Sequence, residues 1–303
     1  MNCFSPVTIE NPNFNIDSSY EQHQYKKILV PCGRCPACVV GTANQWRIRL
    51  KEELEVCTSA FFVTFTYDDS HLPLQNMSGV TGYPIVAPYV SKRDVQTFFK
   101  RLRKRLGNVK IKYFLVSEYG PRTFRPHYHA IIFNLPYSST DSVLSCAKCR
   151  KVLEEVWANG GVKVDQVTDG RISYVTKYVC SITDLPPYLV KPFRLMSRRP
   201  AIGFSYFSKV GLMEYHRSHL ANYYLDNGRK LALPRYYKDK IFDDAMKLEL
   251  SERSALSRGI RQFNERVSAK ELGYKDWYDY KVQSIQSFER KFDLKMKKNR
   301  KDL

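Results

Sequence analysis

Apolar residues return at helical spacing between Ser91 and Gly107, where Val95, Phe98, Phe99, Leu102 and Leu106 share one face. Ser91 is a capping residue with Asp94 three positions on, so the pattern predicts a helix that ends at the glycine. Its opposite face carries Lys100, Arg101, Arg103, Lys104 and Arg105. FFVTFTYDD, residues 61–69, is dense in aromatic and β-branched residues and ends in turn formers, which predicts a strand. Two further strands are predicted over 110–120 and 126–134, and the short GPRTFR connection makes them antiparallel neighbours. A helix over 142–158 stopped by NGG, a strand over 161–167 and a helix over 171–182 complete the order β-α-β-β-α-β-α. That order predicts an α+β fold in which helices cover one antiparallel sheet.

Outside this stretch the pattern changes. Residues 1–30 are polar and turn-rich and read as an extended arm, followed by PCGRCPAC and a helix carrying Trp46, Ile48, Leu50 and Leu54. The breaker-rich insert that runs to residue 89 reads as loop. From Leu185 a Pro-containing basic loop leads into a mostly helical pattern that runs to residue 303. Three regions are expected: an arm, cysteine cluster and helix over 1–58, a sheet core over 59–185, and a basic, mainly helical region over 186–303.

Charge narrows the partners. Lys and Arg total 49 against 30 Asp and Glu, a formal charge of +19, which favours a polyanion. Nucleic acid comes first because aromatics, including 21 Tyr, are interleaved with the basic segments and can stack on bases. An anionic membrane surface is the competitor. No apolar run approaches the ~20 residues that span a bilayer, and MNCFSPVTIENPNF lacks the basic-then-apolar layout of a secretory signal. The helix face at 100–105 and the cluster Lys191, Arg194, Arg198 and Arg199 are candidate phosphate contacts; otherwise each is simply a solvated face.

RPHYHAIIF, residues 125–133, places His127 and His129 on the same side of a strand, because side chains alternate with period two. Such a pair is more often structural than chelating. Glu118 ends the preceding strand beside the point where His127 begins the next, so two imidazoles and a carboxylate can converge on one ion with positions left for water and a phosphate oxygen. These donors suit Mg²⁺ or Mn²⁺, and Zn²⁺ accepts them too. SYVTKYVC puts Tyr174 and Tyr178 one helical turn apart, flanking an apolar stripe of Ile172, Val175, Val179 and Ile182, with Lys177 beyond them. A phenol with its ordinary pKa of ~10 needs a nearby cation to act as a nucleophile. The plain alternative is a pair of boundary aromatics with wet hydroxyls.

Together, the histidine pair, the upstream acid and Y-x-x-K-Y on a later helix resemble the HUH endonucleases, and within them the two-tyrosine rolling-circle initiators of the microviruses, closest to the gokushovirus branch. PCGRCPAC with its W-R-I-R helix, FVTFTYDD, SEYG, RPHYHAIIF, YVTKYV and MSRRPAIG carry the resemblance in matching order. It implies a ferredoxin- or RRM-like sheet covered by helices with a mainly helical C-terminal extension. It also implies His127, His129 and Glu118 as ligands of Mg²⁺ or Mn²⁺, Tyr174 and Tyr178 as nucleophiles, and Lys177 as the lysine between them. The implied activity is nicking and rejoining of single-stranded DNA at a replication origin through a 5′-phosphotyrosine, with host helicase and polymerase as partners, in the cytoplasm of a bacterial host and without a membrane. Relaxases and transposases share that fold, and a non-catalytic single-strand binder is the reading from another class. The chain departs from the family in having Ser181 where relatives carry a second lysine, which points to Tyr174 as the first nucleophile.

Cys32, Cys35 and Cys38 are evenly spaced, and three thiolates can hold a structural Zn²⁺ if a fourth ligand joins; CAKC, with Cys146 and Cys149, is the expected source. Unligated buried thiols are the other reading. His216 and His219 share a helical turn without an acidic companion and are read as surface residues.

Overall fold

Phe61, Val63 and Phe65 point to one side of a central strand, β3 (Ala60–Thr66), and Phe62 to the other, so the strand is buried on both faces. The structure is a computed structural model that describes residues 3–19, 21–76, 82, 86–137, 141–178 and 185–301. The chain divides into two units, one formed by Ala43–Val210 and the other by Met1–Thr42 with Gly211–Leu303.

In the Ala43–Val210 unit, β3 pairs with β7 (Pro126–Phe133) and β8 (Val162–Gln166), β7 with β6 (Lys112–Tyr119), and β6 with β9 (Arg194–Met196). Every pairing is antiparallel, and the order across the sheet is β8-β3-β7-β6-β9. On one face lie α3 (Lys92–Leu106), through Val95, Phe98, Phe99 and Leu102, and α4 (Ser142–Trp157), through Cys149, Leu153, Val156 and Trp157. β3-α3-β6-β7-α4-β8 is thus a split β-α-β arrangement. α3 starts where expected, with the Ser91 hydroxyl accepting from the Asp94 N–H at 3.2 Å. Each fully buried Phe or Leu in this layer contributes roughly 1.5–3 kcal/mol relative to exposure.

The other face is covered as well. α2 (Pro36–Leu54) sets Leu50 and Trp46, and α5 (Asp169–Tyr178) sets Ile172, Tyr174 and Val175, against Phe62, Phe114, Val116, Ile131 and Phe133. Lys112 and Glu53 pair at 2.8 Å beneath this layer, and the Gly203 N–H donates to the same carboxylate at 2.9 Å. α4 ends in a left-handed Ala158, and Gly160 follows at φ +148°, so close to β3 that a Cβ would meet the Asp68 nitrogen at 2.4 Å and the Thr66 carbonyl at 2.5 Å.

Several segments differ from the sequence expectation. Residues 194–196 form the edge strand β9 inside the expected basic loop, too short to show a period of two. The expected insert loop contains a short antiparallel pair, β4 (Leu74–Asn76) with β5 (Val86–Pro88). Val179 and Ile182 of the expected apolar stripe lie outside the described residues.

In the other unit, the expected arm folds back as β1 (Val7–Glu10) against β2 (Lys27–Val30), with the short helix α1 (Glu21–Gln24) between them. After α6 (Leu212–Ser218), LDNGRK makes a hairpin of β10 (Tyr223–Asp226) and β11 (Arg229–Ala232) within the expected helical region. Asn227 and Gly228 both take positive φ, 49° and 79°, as the tight turn of a right-twisted hairpin demands. His216 is a correction: its ring is buried, not superficial, and its Nδ1 meets the Ala221 carbonyl, which satisfies the nitrogen that burial takes from water. α7 (Arg235–Ile241), α8 (Asp244–Glu271) and α9 (Trp277–Lys301) complete this unit. Among the described residues no helix is long and apolar enough to cross a membrane.

Candidate active site

Strand register assembles the site. Glu118 of β6 faces His127 of β7 directly, while Thr66 and Thr64 of β3 sit opposite His127 and His129. All five share the sheet face that carries Phe62, Phe114 and Ile131, since each lies an even number of residues from one of these. Glu118 Oε2 is 3.5 Å from His127 Nε2 and 3.2 Å from His129 Nε2, and one donor atom from each of the three residues lies within 4.8 Å of the others. Tyr174 enters from α5 above them. Its hydroxyl donates to Glu118 Oε2 at 3.0 Å and lies 3.3 Å from His129 Nε2. Tyr174 is buried, not set at the flank of its helix as its spacing suggested, because its ring packs edge-on to both His129 and Phe62.

The histidines are held from behind. His127 Nδ1 is 3.2 Å from the Arg125 carbonyl, which can only accept, so this nitrogen carries the proton and Nε2 keeps its lone pair. His129 Nδ1 is 3.0 Å from the Thr64 hydroxyl, and Phe62 stacks on the same ring at 5.7 Å. With Nδ1 donating to Thr64, Nε2 is again the free acceptor. Burial works against a charged Glu118, but the hydrogen bonds from His127 and His129 outweigh it and hold the carboxyl at about 2. Burial pushes His129 below the ordinary imidazole value even though Glu118 pulls the other way. Two neutral imidazoles presenting Nε2 beside an ionised carboxylate form a donor set that fits a divalent cation.

The remaining expected residues fall into distinct places. Lys177 is half-buried one turn after Tyr174, and Tyr178 closes α5; Ser181 lies outside the described residues. Lys100, Arg101, Arg103, Lys104 and Arg105 are exposed on α3, which packs on the opposite face of the sheet from the histidines. Arg105 there pairs with Glu155 at 2.7 Å. Lys191, Arg194, Arg198 and Arg199 are exposed, and Arg194 pairs in register with Val116, two residues from Glu118 and on the site's own face.

The cysteines regroup. The thiols of Cys32, Cys35 and Cys38 gather with Cys3, not with the CAKC pair. Cys149 is fully buried in the layer under α4, and Cys146 accepts from the Gln166 amide at 3.5 Å, so both are occupied where they stand. Backbone N–H groups of Cys35 and Arg34 lower the Cys32 thiol to about 6, while burial and the neighbouring thiols push Cys38 up to about 12. Cys3 and Thr64 are the residues that sequence reasoning missed. Thr64 was findable only from strand register, and Cys3 stands alone in the sequence.

Residues 60–182, from β3 past Tyr174, match a family of phage-type proteins described as Replication-associated protein ORF2. The chain is 26% identical to Replication-associated protein VP4 of Bdellovibrio phage phiMH2K, over 79% of this chain and 76% of that protein. It is 27% identical to Replication-associated protein ORF2 of Spiroplasma virus 4, over 90% of this chain and 88% of that protein. With Replication-associated protein ORF4 of Chlamydia phage 1 it shares 26% identity, over 75% of this chain and 56% of that protein. No solved structure gives a significant match. The family match along the sheet and the likeness to these phage proteins together support the microvirus-type replication initiators as the family of this chain.

Proposed function

We propose that this protein is an HUH-type endodeoxyribonuclease and strand transferase that starts rolling-circle DNA replication by cutting one strand at an origin. The observation that carries the reading is the single point on the sheet where the Tyr174 hydroxyl, 3.0 Å from Glu118 and 3.3 Å from His129, meets the three candidate ion ligands. Glu118, His127 and His129 would hold Mg²⁺ or Mn²⁺, which when bound supplies Lewis-acid polarisation of the phosphodiester.

Tyr174 Oη forms a bond to phosphorus, and the bond from phosphorus to the 3′-oxygen breaks. The phenolic proton passes to solvent and the departing 3′-oxygen takes one from it, leaving a 3′-hydroxyl primer and a 5′-phosphotyrosine. Glu118 is not the base. Transfer from an ordinary phenol at ~10 to a carboxyl at about 2 is uphill by roughly 11 kcal/mol, so the carboxylate orients the hydroxyl instead. Lys177, one turn along the helix, brings an ammonium to the charge that develops on the phosphate. Tyr178 supplies the second phenol, which cuts the regenerated origin; the freed 3′-hydroxyl then attacks the first phosphotyrosine, closes the displaced strand and releases Tyr174. The reaction belongs in the cytoplasm of a bacterial host, where host helicase and polymerase extend the primer. Exposed Arg194 on the same face suits the single strand's backbone.

The test is incubation of the protein with labelled single-stranded circles of its own genome and Mn²⁺, followed by denaturing electrophoresis. A protein–DNA species that survives denaturation is expected, reduced in Tyr174→Phe and absent in the double Tyr174→Phe/Tyr178→Phe variant while DNA binding persists. Binding with no such species in either Mg²⁺ or Mn²⁺ would leave a single-strand binder and overturn the enzyme reading.

A further inference from the structure

Outside the histidine site, one cluster of side chains is built for a ligand of different chemistry. The thiols of Cys3, Cys32, Cys35 and Cys38 all lie within 4.8 Å of one another, three half-buried and Cys35 buried. A tetrahedral ion bound by four sulfurs at ~2.3 Å sets them about 3.8 Å apart. Cys35 Sγ and Cys3 Sγ stand at 3.8 Å. That separation is far from the ~2.05 Å of a disulfide, and all four thiols are free.

The surrounding backbone points donors at these sulfurs. The Cys32 N–H donates to Cys3 Sγ and the Cys35 N–H to Cys32 Sγ, each at 3.3 Å. The Phe4 N–H reaches Cys35 Sγ at 3.5 Å, and the Ser5 hydroxyl reaches Cys32 Sγ at 3.7 Å. N–H groups aimed at sulfur stabilise thiolate rather than thiol, and thiolate is the ligand form. Between Cys32 and Cys35 the chain turns through Gly33 at φ +76°, a backbone conformation that glycine adopts without steric cost. Pro36 then opens α2, a position where its missing N–H costs nothing, and Cys38 follows in the first turn.

We propose that Cys3, Cys32, Cys35 and Cys38 bind one Zn²⁺ as a closed, four-thiolate structural site that fastens the start of the chain to the beginning of α2. Thiolates select zinc over the hard cations that suit the carboxylate and imidazoles of the other site, and four protein ligands leave no position for a reacting water. The two sites therefore take different ions and are separable by experiment.

The test uses the full chain, purified under reducing conditions without chelator, and metal analysis by mass spectrometry. About one zinc per chain is expected, retained in the His127→Ala/His129→Ala variant and lost in Cys3→Ser and Cys35→Ser. Because the serine variants can misfold, the unaltered protein gives a second readout. After mild zinc removal, added Co²⁺ should produce the intense visible bands of tetrahedral thiolate coordination, and added ZnCl₂ should protect these four cysteines, but not Cys57, from alkylation mapped by peptide. Zinc that follows the histidines rather than the cysteines would overturn the proposal. So would zinc-free protein whose four cysteines alkylate equally fast with and without ZnCl₂.

Discussion

Replacing Thr64 with Val keeps the β-branched shape that β3 accommodates and removes the hydroxyl 3.0 Å from His129 Nδ1. His129 is buried, so its Nδ1–H has no water to turn to. Leaving a buried donor unsatisfied costs about 1–3 kcal/mol. The ring can escape that cost by moving its proton to Nε2, but that is the nitrogen facing Glu118 at 3.2 Å, and a protonated Nε2 cannot ligate. The loss of a partner behind a ligand histidine typically weakens metal binding 10–100-fold, equivalent to about 1.4–2.8 kcal/mol. That range lies within the desolvation cost. Thr64→Val should therefore raise the Mn²⁺ concentration for half-maximal covalent adduct formation by about 10–100-fold. Thr64→Ser, which restores the oxygen, should recover most of it, and both variants should melt cooperatively. A Thr64→Val protein with the parent's Mn²⁺ dependence would refute the idea that this hydroxyl sets the His129 tautomer.

Gly160→Ala should lower the denaturant midpoint, since the backbone at φ +148° costs about 1–3 kcal/mol for an L-residue and the new Cβ meets β3 backbone at 2.4 Å; an unchanged midpoint would contradict this packing. Burial depresses the pKa of His216, so below its unfolded value of about 6.5 the unfolded chain binds a proton that the native ring refuses, and stability should fall as pH drops through that value. His216→Gln should flatten that part of the stability profile, and an unaltered slope would count against it. Arg194→Gln should weaken single-strand binding and make the log–log salt slope shallower by about 0.7, whereas Lys104→Gln, on the opposite face, should leave adduct formation intact. The reverse pattern would move the DNA path to α3.

The helices and long strands are legible because their burial is one-sided or complete over many residues. Val95, Phe98, Phe99 and Leu102 mark α3 by period alone, and Ser91 and Gly107 mark its ends. β9 and the β4–β5 pair are three residues a strand, too short for any period to register. Asn227-Gly228 does carry a local hairpin signal, but it sits between stretches with helical patterns that outweigh it. At the site, strand period places His127 and His129 on one face, and the short connection places Glu118 at the same end. What pattern cannot supply is register across non-adjacent strands, which brings Thr64 to His129, or the return of the chain that brings Cys3 to Cys32. His216 escapes a sequence reading because a histidine satisfied by a backbone carbonyl leaves no trace in the sequence.

The central claim is that Tyr174 attacks phosphorus beside the Glu118, His127 and His129 donors. Digesting the covalent product formed with Mn²⁺ and sequencing the nucleotide-bearing peptide by mass spectrometry tests it directly. The account predicts a 5′-phosphate linkage on Tyr174, with Tyr178 labelled when Tyr174 is Phe. A nucleotide attached to a tyrosine outside α5, or a linkage formed equally well without any divalent ion, would contradict it.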